Sequence, residues 1–409
     1  MKILHTSDWH LGQNFMSHDR RDEHAQFLDW LTLQIKEQAI DVLIIAGDIF
    51  DTGTPPNYAE EAYFKFLADV SKDNFIHVII VGGNHDSVAT LHAPKKVLRA
   101  INVDVVGCRS SDEHLDNDVI TIKDESGNEL GFICCVPFLR ERDLRKSVAG
   151  ESYEDKSLAV IEGTKKHYGN IYDTAVKMRD TIGNGELPII ATGHLFAAGG
   201  ATSEGVRDIY VGNLGQIGAD AFNTNYNYVA LGHLHKAQKV GGCNTIRYCG
   251  SPIPLSFSEA NSEKQVLIVD CSSETVITPL IIPEFRKIRV VKGDINEIEL
   301  GINALDYAEH DIWLEVQYDA DENITNLESR VDEFLVDKAV ELFAIKNVRK
   351  SSQRRTMTSD EFEHLDEMKV EDVFERKLNA AEIADDERDE LRHALAEILN
   401  SLGKVEEVG

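Results

Sequence analysis

Val78-Ile79-Ile80-Val81-Gly82-Gly83-Asn84-His85-Asp86-Ser87 reads as a β-branched strand that stops at two glycines and hands three polar side chains to a loop. A continuous apolar run bounded by a turn signal predicts a strand buried on both faces. The glycines let the backbone turn with no Cβ in the way. Asn84, His85 and Asp86 are metal-competent or acid–base groups at a strand end, where α/β proteins put their chemistry.

The same pattern recurs along the chain. Lys2–Thr6 reads as a strand ending in Ser7-Asp8-Trp9-His10, and Asp8 and His10, two apart, are expected on one side of an extended segment. Val42–Ala46 ends in Gly47-Asp48. Pro188–Thr192 ends in Gly193-His194, and Tyr228–Leu231 ends in Gly232-His233-Leu234-His235. Helices are predicted over Arg21–Gln38, where Phe27, Leu28, Leu31 and Ile35 form one stripe, and over Tyr58–Val70, Leu91–Ala100 and Tyr153–Tyr168. Strand–helix alternation predicts a parallel sheet flanked by helices, with one rim carrying the chemistry. Val119–Ile122, Leu130–Val136, Arg247–Cys249, Gln265–Val269 and Thr275–Ile282 read as strands that complete the domain.

Composition narrows the function classes. The formal net charge of −29 argues against a general nucleic-acid binder driven by bulk electrostatics. A phosphate substrate would need local metal ions or local basic patches. Six cysteines without CxxC spacing read as buried reduced thiols. No apolar run is long enough to span a bilayer and no signal-peptide core opens the chain, so a cytoplasmic location is expected.

The texture changes past Pro283. The expected division is a catalytic domain over 1–283, a small α+β capping domain over 284–346, a basic linker over 347–357 and a helical partner-binding tail over 358–409. The capping unit reads strand–helix–strand–helix–strand, and the tail carries Leu391, Leu395, Ile398, Leu399 and Leu402 at helical spacing.

Five strand ends therefore supply Asp8, His10, Asp48, Asn84, His85, His194, His233 and His235. A single histidine is usually a satisfied core or surface residue, but clusters on five apolar strands of one sheet form a site. Carboxylate, imidazole and amide oxygen, without thiolate, suit Mn²⁺, Mg²⁺, Fe²⁺ or Zn²⁺. Two such ions about 3.5–4 Å apart bind both oxygens of a phosphoryl group and generate hydroxide near neutral pH. Asp48, alone at the end of a central strand, is the best bridge.

Asp8-x-His10, Gly47-Asp48, Gly83-Asn84-His85-Asp86, Gly193-His194 and Gly232-His233-x-His235 resemble the five motifs of the calcineurin-like metallophosphoesterase superfamily. The flanking Ile3–Gly12, Gly47–Gly53, Gly83–Ala89 and Arg247–Phe257 resemble its bacterial DNA-repair nucleases. The resemblance implies a four-layer α/β sandwich of two sheets flanked by helices. It implies one metal on Asp8, His10, Asp48 and His235, and a second on Asp48, Asn84, His194 and His233. His85 would be the catalytic histidine, and Asp86 would fix a histidine tautomer. Some relatives carry a second histidine where this chain has Asp51, so that role does not transfer.

The implied activity is Mn²⁺-dependent 3′-to-5′ exonuclease on duplex ends and endonuclease on single strands and hairpins. An SMC-like ATPase partner would gate it, within a heterotetramer containing a homodimer of this chain joined through helices such as Tyr58–Val70 and Leu91–Ala100. No GxxxxGK[ST] motif is present, as expected if ATP binds elsewhere. The rival readings are a stand-alone phosphomonoesterase or nucleotidase of the same fold, and a non-enzymatic scaffold.

Overall fold

The strand at Val78–Val81 sits inside a six-stranded sheet, and its burial follows from what lies on each face. The computed structural model describes residues 1–72, 76–146, 151–197, 217–306, 312–320, 324 and 326–348. The linker beyond 348 and the tail expected over 358–409 lie outside them.

Strand β1 (Lys2–Thr6) leads through α1 (Arg21–Glu37) to β2 (Val42–Ala46), and α2 (Asn57–Lys72) leads to β3 (His77–Val81). Short helices α3 (Val88–His92) and α4 (Lys95–Arg99) precede β4 (Val103–Val106). After β5 (Val119–Lys123) and β6 (Glu129–Val136) come α5 (Glu141–Leu144), α6 (Tyr153–Ile182), β7 (Ile189–His194), β8 (Tyr228–Gly232) and β9 (Ile246–Tyr248). The hairpin β10 (Gln265–Asp270) and β11 (Val276–Ile281) follows.

The first sheet runs β11-β10-β1-β2-β3-β4, and the second runs from the two-residue strand Gln238–Lys239 through β9-β8-β7-β6-β5. Strands β1, β2, β3 and β4 are mutually parallel, as are β6, β7, β8 and β9. Alternation divides each strand between two cores. Leu4, Leu43, Ile45, Val78 and Ile80 face α1 and α2 through Phe27, Leu31, Tyr63 and Phe66. Ile3, Val42, Ile44, Ile79 and Val81 meet Ile133, Cys135, Ile190 and Ala230 of the other sheet. Phe132, Cys134, Ala191 and Leu231 pack under Tyr168, Ile171 and Ala175 of α6. Helix, sheet, sheet and helix make four layers, which explains why these strands read as unbroken apolar runs.

Three local expectations change. The five strand ends belong to two sheets, not one: β1, β2 and β3 to the first, β7 and β8 to the second. Leu91–Ala100 is not one helix. It is broken at Ala93-Pro94, where proline lacks the N–H a helix interior needs and restricts its predecessor. Helix α6 runs on to Ile182 and stops at left-handed Gly183, well past Tyr168.

By contact density the chain separates into one unit of Met1–Gln317 with Thr325–Ile345 and a second of Tyr318–Ile324 with Lys346–Gly409. Apart from Tyr318, Lys346 and Asn347, which fall in the second, β12 (Lys287–Gly293), α7 (Ile295–Asn303), β13 (Ile312–Tyr318), α8 (Leu327–Leu335) and β14 (Val340–Asn347) lie in the first and follow the predicted α+β order, with a separate three-stranded sheet β12-β13-β14. Its Trp313 meets Phe15 at a tilt, its Phe343 meets Phe15 and Phe257 of the preceding region edge-on, and buried Arg20 lies over Phe15 and Trp313. All six cysteines are free thiols. Among the described residues no helix is long and apolar enough to cross a membrane.

Candidate metal centre

The loops that follow β1 and β2 remain paired after the strands end. Asp8, His10 and Leu11 donate backbone N–H groups to the carbonyls of Gly47, Asp48 and Ile49 at 3.0, 3.1 and 2.9 Å. Asp8, His10 and Asp48 have φ of 54°, 47° and 50°, and His233 has 106°. Non-glycine residues seldom adopt this left-handed region, and its concentration at a site marks side chains aimed by the fold. The segment around Asp8 and His10 is therefore coiled, not extended as the spacing suggested. Two motif glycines permit the close approach of the loops. A Cβ on Gly83 would overlap Asp48, and one on Gly232 would overlap the Ala46 carbonyl of the opposite sheet.

All eight sequence-predicted side chains converge. Asp8, His10 and His235 form one group and Asp48, His194 and His233 another, each with ligand atoms within 4.8 Å of one another. Asp48 Oδ2 lies 3.2 Å from His194 Nε2 and 3.7 Å from His10 Nε2, so one oxygen faces both groups. Asp48 Oδ1 accepts from the His85 backbone N–H at 2.9 Å. Asn84 Oδ1 lies 3.0 Å from both His194 Nε2 and His233 Nδ1. The rings of His10 and His235 stand 5.2 Å apart, as do those of His194 and His233. His85 stands 4.8 Å from His10 and joins it and Asp51 in a third group.

Charge balance fits a bound cation. His10 Nε2 is buried and has no hydrogen-bond partner, although a carboxylate faces it. Burial alone would push His194 down, yet the Asp48 and Asp8 carboxylates and the Ala46 carbonyl lift it to about 9. Burial would likewise raise Asp48, but His194, His10 and His85 hold it well below the carboxylate range. Burial and the neighbouring His194 push His233 down to about 3, leaving it neutral, with a ring nitrogen able to ligate a cation. A pocket of carboxylates, imidazoles and one amide oxygen has the donor chemistry for hard-to-borderline divalent ions.

The surrounding shell differs from the sequence reading. Among the described residues Asp86 makes no hydrogen bond or ion pair to His10, His194, His233 or His235. Its carboxylate accepts the N–H groups of Gly83, Phe50 and Ile49 at 2.9, 3.0 and 3.3 Å, tying the Gly47 and Gly83 loops together. Buried beside Asp48, it is raised to about 6. Histidine tautomers are set elsewhere. His194 Nδ1 donates to the Ala46 carbonyl at 2.9 Å, and His85 Nδ1 donates to the Asp51 carbonyl at 2.7 Å. The Asp51 carboxylate lies 3.1 Å from His10 Nδ1.

Glu259 is a residue the sequence reading missed. Its Oε1 lies 3.4 Å from His235 Nδ1, while Oε2 accepts from Lys264 Nζ at 2.6 Å and Ser251 Oγ at 3.2 Å. It follows the Arg247–Phe257 stretch by two residues, with no motif of its own. Burial raises Glu259, but Lys264 and His235 bring it down to about 2. Glu259→Gln is expected to lower stability in chelator by about 3–5 kcal/mol, because it leaves the buried Lys264 ammonium without its counter-charge. A denaturant titration checks this, and adding Lys264→Met is expected to recover most of the loss.

Comparison with known proteins extends over the same residues. Residues 1–237 match a family model described as calcineurin-like phosphoesterase, and residues 284–382 match one described as the type 5 capsule protein repressor C-terminal domain. The SbcD component of nuclease SbcCD from Escherichia coli (strain K12) is 36% identical over 406 residues, covering 98% of each chain. The proteins of the same name from Rhodobacter capsulatus and Bacillus subtilis (strain 168) are 34% identical over 277 residues and 32% identical over 271, each covering 66% of both chains.

Proposed function

Because this chain belongs to the calcineurin-like phosphoesterase family and, within it, to the SbcD components of nuclease SbcCD, which are metal-dependent hydrolases, we propose that it cuts DNA phosphodiesters at a site where Asp48 would help to hold both of two divalent ions. The observation that carries this is the single Asp48 oxygen facing both His10 and His194. One ion would be held by Asp8, His10, Asp48 and His235, the other by Asp48, Asn84, His194 and His233. When bound, the ions supply Lewis-acid stabilisation of the phosphoryl oxygens and an activated water. Manganese is the metal proposed for this oxygen- and imidazole-rich set.

The chain's own groups do the rest. The Asp51 carbonyl holds His85 Nδ1–H, and with the ring in its doubly protonated form Nε2–H is the proton passed to the leaving oxygen, which returns His85 to the neutral Nδ1–H imidazole. The His85 backbone N–H and the Asp86 clamp keep Asp48 in register with Asn84. The proposed activities are 3′-to-5′ exonuclease on duplex ends and endonuclease on single strands and hairpins, in the cytoplasm. An SbcC-type ATPase gates them, with a homodimer of this chain in the assembly. Residues 1–283 are proposed as the nuclease, 284–346 as a DNA-recognition cap, 347–357 as a linker and 358–409 as the ATPase-binding tail.

The test is Mn²⁺-dependent degradation of an end-labelled duplex and a hairpin, alongside p-nitrophenyl phosphate. Turnover of the monoester alone would select the phosphomonoesterase reading. Deleting 358–409 is expected to abolish co-purification with the ATPase while sparing nuclease activity of the isolated chain. Retained co-purification would refute the tail assignment.

A further inference from the structure

A basic cavity of about 340 Å³ lies between α6, α5 and the segment after β4. Five cations line it (Arg109, Arg142, Arg145, Lys146 and Lys166) against two carboxylates, Asp112 and Asp143, and Arg145 is paired as well with Glu141 and Glu151, so the excess is carried by Arg142, Lys146 and Lys166. The carboxylates are already engaged. Asp112 pairs with Arg109, and Asp143 accepts the Arg140 backbone N–H at 2.9 Å. Arg142, Lys146 and Lys166 form no ion pair among the described residues. In a chain of net charge −29, such an excess is a local departure that the global charge opposes.

A second observation points into the same cavity. His167 is 3% exposed, lines the cavity, and has neither ring nitrogen hydrogen-bonded. A buried polar group without a partner costs stability unless a ligand completes it. Burial and the Arg109 guanidinium lower His167 to about 4, so at neutral pH it is uncharged and keeps one N–H to donate. Gly163, Lys166, His167 and Asn170 share one helical face, and a Cβ on Gly163 would press against the Leu144 carbonyl. The floor is thus packed tightly while cations and donors edge the opening.

The cavity walls hang from the rim that carries the metal centre. Strand β4 runs parallel to β3, so the chain leaving Val106 toward Arg109 emerges beside Gly82. Strand β6 runs parallel to β7, so the chain leaving Val136 toward Arg142 emerges beside Gly193 and His194. Phe138 joins the two, donating its N–H to Gly82 at 2.8 Å with its ring 6.4 Å from that of His194.

We propose that this cavity is a second phosphate-binding station, which grips a backbone phosphate of the DNA whose scissile bond lies at the metal centre. The proposal rests on the nuclease reading above. It resolves how so acidic a protein holds a polyanion: by metal ions at one point and by unpaired cations plus the His167 N–H at another on the same rim.

The test compares the full-length chain with Arg142→Ala/Lys166→Ala and, separately, His167→Phe. Both replaced cations of the double variant are exposed, and matching thermal melts verify folding. Duplex binding is read by fluorescence anisotropy between about 50 and 200 mM salt, in a His85→Gln background to prevent cutting. The double variant is expected to reduce the slope of log K against log salt by about one, the value for one phosphate contact, and to weaken binding about ten-fold at low salt. Turnover of bis-p-nitrophenyl phosphate, which occupies the metal centre alone, is expected to stay at the wild-type rate with His85 present. An unchanged slope and affinity would overturn the proposal, as would absence of wild-type duplex binding at 50 mM salt. Calorimetric binding of inorganic phosphate that the variant abolishes, with DNA binding intact, would make it a free-anion site instead. Loss of ATPase association with DNA binding intact would make it a protein contact. Wild-type protein inert toward both the diester and DNA would sink the nuclease reading itself.

Discussion

Replacing His85 by Gln is expected to slow DNA cleavage by about 10²–10⁴-fold while the divalent-ion content of the purified chain stays at the wild-type level. His85 makes two separable contributions. Its backbone N–H bonds Asp48 Oδ1 at 2.9 Å, and the substitution leaves that bond in place. Its ring is held by the Asp51 carbonyl at 2.7 Å, and only an imidazole so held passes a proton to a leaving oxygen. Glutamine retains a hydrogen-bonding amide but no group that titrates. The decisive pair of measurements is single-turnover cleavage of a labelled duplex and elemental analysis of bound metal. Parallel loss of metal would reassign His85 as a ligand, a role its grouping with His10 and Asp51 permits chemically.

The site is legible in the sequence because its residues end strands, and strand ends are visible there. Val42–Ala46 and Val78–Val81 are apolar on every residue, and each stops at glycine followed by Asp48 or Asn84-His85. That pattern needs only local information. Which sheet each strand joins does not follow from it, because a strand buried on both faces has no polar side to orient it. Hence the strand pattern alone puts β7 and β8 in one sheet with β3, whereas they belong to the facing sheet.

The supporting shell is hidden for a related reason. Glu259 reaches His235 across 24 residues of chain, and Lys264 returns from the next strand's edge. No periodicity links such positions. The resemblance implies that Asp86 fixes a histidine tautomer, while the backbone N–H groups it accepts carry no sequence signature. The break at Pro94 is readable in principle, since proline within a helical pattern ends it.

Asp48→Asn is expected to abolish high-affinity binding at both ion positions, and with it all cleavage above background. The prediction is stronger than for any other proposed ligand because, among the described residues, Asp48 Oδ2 is the carboxylate oxygen that stands near both His10 Nε2 and His194 Nε2. Asparagine keeps the shape and still accepts the His85 N–H through Oδ1. It removes the negative charge and turns an NH₂ group toward two imidazole nitrogens. The ion pair contribution is lost in a site 2% exposed, where screening by water is weak. Two further variants calibrate the effect: His235→Ala is expected to lose one ion and His194→Ala the other, each leaving its neighbour measurable by Mn²⁺ calorimetry. In chelator, nuclear magnetic resonance should find His194 of Asp48→Asn titrating well below the value of about 9 set by the carboxylate, because burial then acts with less opposition. An Asp48→Asn protein that kept one ion at wild-type affinity would mean that Asp48 serves a single cluster, and the bridged two-ion mechanism would have to be abandoned.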